Sequence, residues 1–235
     1  MAVYDLEEQE QLDELKTWWR QYGNLVVNIA LVVAVLLAAW QGWNWWQHKQ
    51  SGEAAAMYSA VQVAVSQQDA KRARELAGTL IDQYPRTTYA GMSALIASRV
   101  QIDSGDAKNA KVQLEWAAAN ANDPALRELA RLRLVSLLID EKSYDEAMNK
   151  LAAPALQGFA VRHGELKGDV LAAQGKTAEA KTAYTAASDQ LEIELKQAEG
   201  NAQRGLTMLK EILAGKRDAV ANAPIAQNAP AGDAK

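Results

Sequence analysis

The chain of 235 residues contains two histidines and no cysteine, so the side chains that most often serve as nucleophiles, bases and metal ligands are nearly absent. Without thiols, disulfides, thiolate zinc sites and iron–sulfur clusters are excluded. His163 stands in RHGELKGD with Glu165 two residues on. Residues i and i+2 do not face each other on a helix, so the pair lacks the oriented base that a hydrolase or transferase needs, and His163 reads as a packing or surface residue. His48 follows a run of tryptophans and reads as interfacial, while Glu192 and Glu194 read as a solvated helix face. Arg127, Arg131 and Arg133, with Glu128 among them, fall on one predicted helix and mark either an anionic groove or ordinary surface pairing. The chain has no phosphate-binding glycine loop, dinucleotide fingerprint or HExxH run, each of which would carry a specific chemistry. No catalytic residue, metal or cofactor is assigned, and an interaction protein rather than an enzyme is expected. A net charge of −4 supplies no basic face, so no nucleic-acid partner is expected either.

The element that must carry such a protein to its partners is written near the start. Six of the seven tryptophans (Trp18, Trp19, Trp40, Trp43, Trp45 and Trp46) bracket the stretch LVVNIALVVAVLLAAW, in which Asn28 is the lone polar side chain. A bilayer core of about 30 Å takes about 20 helical residues, and Leu25 to Trp45 supplies that length through Val33 and Trp40. Tryptophan and tyrosine favour the headgroup level, so Trp18, Trp19 and Tyr22 form one belt and Trp40 to Trp46 the other. Residues 24–47 are therefore expected to span a membrane. A cleavable signal peptide has a short basic leader and small residues at its cut site; here the leader is long and acidic, and bulky tryptophans follow the apolar run, so an uncleaved anchor is expected. Asn28 lies within one turn of the start of the run, where water or headgroups satisfy it or a neighbouring membrane helix accepts it.

Orientation follows from lysine and arginine beside the span. Lys16 and Arg20 precede it and Lys49 alone follows closely, which favours a cytoplasmic N-terminus. The leader, residues 1–23, carries Asp5, Glu7, Glu8, Glu10, Asp13 and Glu14 against those two bases, and therefore holds the whole negative balance of the chain. Its Leu12, Leu15, Trp19 and Tyr22 recur at helical steps, as the anchor continued outward or as a stripe for a partner.

From residue 48 to 214 the chain is rich in Ala, Leu, Gln, Lys and Glu, strong helix formers, with turn signals at short intervals. Short turns force antiparallel helix neighbours. Four second-helix starts read alike: DAKRA ending at Ala73, DAKNA at Ala110, YDEA at Ala147 and TAEA at Ala180, spaced 37, 37 and 33 residues. Four positions on, on the same helix face, stand Ala77, Leu114, Leu151 and Tyr184, and seven on stand Leu80, Ala117, Pro154 and Ala187. Such self-similarity is the signature of a repeat stack. The expected fold is all-α: one N-terminal transmembrane helix, then an α-solenoid of about four degenerate hairpins. The stretch Asp189–Leu213 is expected as one capping helix, and residues 215–235, rich in Ala, Asn and Pro, as a disordered tail. Stacked hairpins form a continuous core and an extended concave surface.

The last unit resembles a tetratricopeptide repeat, with Gly168 twelve residues before Ala180 and Leu171, Gly175, Tyr184 and Ala187 in matching places, although Gly164 and Lys167 stand where that motif prefers Trp and Leu. Gly168 and Ala180 provide the small residues of a close helix crossing, and Gly175 a left-handed turn. The whole arrangement resembles the YfgM-type ancillary subunit of the bacterial SecYEG translocon. The likeness rests on the acidic leader, the tryptophan-bordered span, TYAGMSAL at Thr88–Leu95, the stretch Gly105–Leu114, and ELKGDVLAAQGKTAEAKTAY at Glu165–Tyr184. It implies a single-span inner-membrane protein with its repeat domain in the periplasm. The implied partners are the SecYEG translocon, periplasmic chaperones and exported client proteins handed onward; no catalytic residue is implied. From the residues alone, an anchored envelope scaffold for division, wall synthesis or cofactor assembly would look the same.

Overall fold

The computed structural model describes residues 4–222, and their side chains from residue 16. Leu12 and Leu15 of the leader stripe lie outside the described side chains. The chain forms two compact units, one through Glu53 and one from Ala54 onward.

Helix α1, Tyr4–Ser66, runs through the first unit. It is the one described helix long and apolar enough to cross a membrane, with a mean hydropathy of 2.2 over its most apolar window, 6% of which is buried. Its apolar side chains point outward all round: Leu25 is 59% exposed and Trp40 64%. Val33 and Trp45 are exposed as well, as is Asn28. The rings at each end of the apolar run associate, with Trp18 at 5.9 Å from Tyr22 and Trp43 at 5.5 Å from Trp46 between centroids. The Lys49 ammonium lies 5.9 Å from the Trp45 ring centroid, within the range of a cation–π contact.

The second unit contains the end of α1 and eight further helices: α2 (Ala70–Gln83), α3 (Thr88–Asp103), α4 (Ala107–Asn120), α5 (Pro124–Asp140), α6 (Tyr144–Lys150), α7 (Ala160–Ala173), α8 (Thr177–Gln197) and α9 (Gly200–Ala221). Each packs on the next, and α3 also meets α5 and α5 meets α7. This is the pattern of hairpins stacked with their first helices side by side. The four hairpins turn in one way. Gln68, Gly105, Lys142 and Gly175 all have positive φ, at the same 37, 37 and 33 residue steps as the alanines. At each turn the next residue's N–H closes a bond to a carbonyl five back: Asp69 to Ala64, Asp106 to Gln101, Ser143 to Leu138 and Lys176 to Leu171, at 2.8–3.0 Å. Helix ends of this kind satisfy otherwise orphaned carbonyls and favour glycine, which two of the four positions lack. Asp69 and Asp106 then cap α2 and α4 by accepting from the N–H groups of Arg72 and Asn109.

Ala73, Ala110, Ala147 and Ala180 are fully buried, as are Ala77 and Leu114; Tyr184 and Leu151 are nearly so. A large core of Leu80, Leu114, Leu134, Leu138 and Val170 joins α2 through α7, and a second, around Leu191 and Leu213, joins α7, α8 and α9.

The structure departs from expectation in three places. Helix α6 ends at Lys150, so Leu151 caps it and Pro154 lies beyond it; proline lacks the N–H that continuation needs. The stretch Asp189–Leu213 is two helices, because α8 runs to Gln197 and the chain breaks before Gly200, at φ +60°. Residues 215–221, expected within the tail, belong to α9 and Asn222 caps it; residues 223–235 of that tail lie outside the described residues.

Candidate interaction surface

The first helices α3, α5 and α7, extended by α9, line up a polar and partly apolar surface. At its C-terminal end the surface is closed by charge. Lys216 of α9 reaches α7, donating to Glu165 Oε1 at 2.7 Å and to both Asp169 oxygens at 2.8 Å. Arg162 donates to the other Glu165 oxygen at 2.7 Å, and the Tyr184 hydroxyl donates to Asp169 Oδ1 at 2.7 Å. Burial alone would push the Glu165 carboxyl up; the hydrogen bonds and charges of Lys216 and Arg162 outweigh it and hold the group below its ordinary value. Burial would likewise depress the Lys216 ammonium, but Asp169 and Glu165 raise it. Burial, and then the bond to Asp169, push the Tyr184 phenol up. Glu165 and Lys216 are therefore ionised and paired at neutral pH, a structural network rather than an acid–base pair. His163, beside it in sequence, points elsewhere, its Nε2 lying 3.0 Å from the Leu151 carbonyl oxygen.

Gly168 sits under Tyr184. A Cβ there would overlap the ring, coming within 2.8 Å even of Cζ. The close crossing expected of Gly168 with Ala180 is thus made against the aromatic ring, four residues further along. Gly164, read from the sequence only as a departure from the motif, and Gly91 serve the same end: added Cβ atoms would stand 3.0 Å from Ala187 Cβ and 2.9 Å from Ala121 Cβ.

The three arginines of α5 do not act together. Arg131 spends its guanidinium on Glu128, at 2.6 and 2.9 Å, and on the carbonyls of Lys150, Ala153 and Pro154, tying down the chain after α6. Arg127 donates to the Ala121 carbonyl at 2.7 Å. Arg133 points the other way, into a cleft of about 300 Å³ between α3 and α5 lined by Ser98, Arg99, Ile102, Ser136 and Leu137. Of the two readings left open for these arginines, pairing describes Arg127 and Arg131, while Arg133 alone faces a cleft. Among the described residues no group of three or more His, Asp or Glu side chains is arranged to hold a metal.

These features define a class: a stack of helical hairpins behind one N-terminal helix long and apolar enough to span a membrane. The tetratricopeptide repeat-like domain family model matches residues 16–215. An ancillary SecYEG translocon subunit of Neisseria gonorrhoeae is 31% identical over 196 residues, 81% of this chain and 91% of that protein. Proteins of the same name from Haemophilus influenzae and Escherichia coli are 26% and 25% identical, over 77% and 79% of this chain and 89% of each relative. The chain belongs to this tetratricopeptide-repeat-like family, that of the ancillary SecYEG translocon subunits. No solved structure matches it significantly.

Proposed function

We propose that the protein is a single-span inner-membrane accessory of the SecYEG translocon, its N-terminus cytoplasmic and its hairpin stack in the periplasm. There it meets periplasmic chaperones and passes newly exported chains to them. The observation that carries this reading is the name shared by four curated relatives, matched over 89–91% of their own lengths. Lys16 and Arg20 before the span, against Lys49 after it, support the orientation. The span acts as a tether: confinement near the export channel raises the effective concentration of the stack there, so weak contacts suffice. The surface of first helices is the side offered to clients, and no step of covalent chemistry is asked of it.

A photo-activatable residue at Ile102, which is 42% exposed beside the cleft, tests the reading in intact cells. Adducts with translocon subunits, periplasmic chaperones or emerging exported chains are expected. Adducts solely with cytosolic proteins would contradict it, and adducts solely with division or wall-synthesis proteins would favour an envelope scaffold.

A further inference from the structure

Among the described residues, Arg133 is the one guanidinium in the cleft between α3 and α5 without an acceptor. Arg99, facing it, is held by both Asp103 oxygens at 2.9 Å, and Arg162 on α7 is held by Glu165. Arg133 makes no hydrogen bond or ion pair with any described residue. The cleft walls strip part of its hydration and Arg99 adds like charge, and both effects hold it below its ordinary value. The side chain is exposed at the mouth of the cleft and stays cationic at neutral pH, where an incoming carboxylate can reach it. Asp140, also at the cleft wall, is seven residues along α5, roughly 10 Å up the axis, and does not pair with it.

Asp103 stands between this cleft and a neighbour on the other flank of α3, where Val100 is about 200° around the helix from Ile102. That neighbour, of about 340 Å³ and lined by Val65, Gln68, Ala70, Val100 and Ser104, shares Asp103 with the first. Together they run across the end of α1, α3 and α5. Three helices at 8–10 Å spacing give a path of roughly 20 Å, the length of about six extended residues. Apolar surface is available along it: Val65 is 39% exposed and Ile102 42%.

We infer that this groove binds an extended polypeptide segment whose apolar side chains lie along Val65, Val100 and Ile102 and whose acidic side chain is taken by Arg133. The occupant is a stretch of exported chain, so the inference rests on the client reading above and gives it a sequence preference. An alternation of apolar residues with an aspartate or glutamate is the pattern selected. Charge-assisted bonds are stronger than neutral ones, and of the two cleft guanidinium groups Arg133 is the one left to pair with a carboxylate, Arg99 being paired with Asp103.

The test uses the full chain in lipid nanodiscs and two fluorescein-labelled ten-residue peptides of valine, leucine and alanine, one with a single central aspartate and its twin with asparagine. Fluorescence anisotropy should show the aspartate peptide binding roughly tenfold more tightly, with the difference shrinking as salt is added. In Arg133→Gln the two peptides should bind alike, while Arg72→Gln, an exposed arginine on α2, keeps the preference. Equal binding of the twins to the unaltered protein, no binding of either, or a preference that survives Arg133→Gln would overturn the inference. Should Ile102 still crosslink exported chains in that case, the client reading stands without this preference. Should the preference hold while Ile102 captures no exported chain, it is the client reading that falls.

Discussion

The middle of the hairpin stack and its C-terminal end are closed by different means. Between α2 and α7 the core is alanine and leucine: Leu114, Leu134 and Leu138 are fully buried among residues of like kind. At the end no further hairpin follows α7 and α8; α9 packs on α8, and from one face of it Leu213 enters the core of α7 and α8 while Lys216 reaches α7. The lysine there is clasped by Glu165 and Asp169. A repeat interior seals itself because each unit offers its neighbour the same apolar face. The final unit meets a helix that does not repeat, and a charged network fixes where that helix lies. Apolar contact gives most of the energy, but it is non-directional, whereas the three hydrogen bonds from Lys216 to two carboxylates set one register.

The comparison is broken most severely at Gly168. Gly168→Val forces a side chain into the Tyr184 ring, and should cost about 3 kcal/mol, at the upper end for overpacking, read as a lower urea midpoint by circular dichroism. Gly78→Val is the control on α2, where nothing lies within 4 Å of the added Cβ; it should cost well under half as much.

A smaller effect is expected from Lys216→Met, which leaves Glu165 with Arg162 alone. Breaking a fully buried pair costs roughly 3–5 kcal/mol; here the lysine side chain is 32% exposed, so about 2 kcal/mol is expected, seen as faster hydrogen exchange in α9 with α3–α5 unchanged. The pH dependence follows from the two shifts. Glu165 lies below its ordinary value of 4.5, so its contribution is complete above that value and is lost as pH falls through the depressed one. Lys216 lies above its ordinary 10.5, so its contribution is complete below that value and is lost only as pH rises through the raised one. Protection of α9 should therefore be flat between the two ordinary values. It should fail in acid before that of α3–α5, and this acid step should be lost in Lys216→Met, where α9 no longer holds the Glu165 carboxylate.

The smallest effect concerns the turns. Lys142 occupies a left-handed turn at φ +60°, where Gly105 and Gly175 serve in sister turns. Lys142→Gly should stabilise by up to about 1 kcal/mol, as a left-handed position is costly for a residue with Cβ, and Gly175→Ala should destabilise by a similar amount. Opposite signs in the thermal midpoints of these two variants are the check.

Much of this architecture was legible because it repeats. The alanines at 73, 110, 147 and 180 mark one buried position four times, and the turn residues five places earlier keep the same steps. Gly175 announced the left-handed residue of its turn; Gln68 and Lys142 lie in turns that the sequence also marked, but neither residue type signals positive φ. Pro154 contained the warning that α6 would stop. The arginine geometry was readable too: Arg127 and Arg131 are four apart and share a face, whereas Arg133 is about 200° around the helix from Arg131. What the sequence could not carry was the network at the end. Lys216 is 51 residues from Glu165, no local pattern links them, and the low-complexity look of the tail concealed a helix through Ala221.

The central claim is that one lipid-embedded helix holds the hairpin stack on the export side of the inner membrane. The absence of native cysteine allows a direct measurement. Gln11→Cys and Ala221→Cys are made separately and treated in intact spheroplasts with a membrane-impermeant maleimide. The account predicts labelling of the Ala221→Cys protein at once and of the Gln11→Cys protein only after the membrane is opened; the reverse pattern would contradict it.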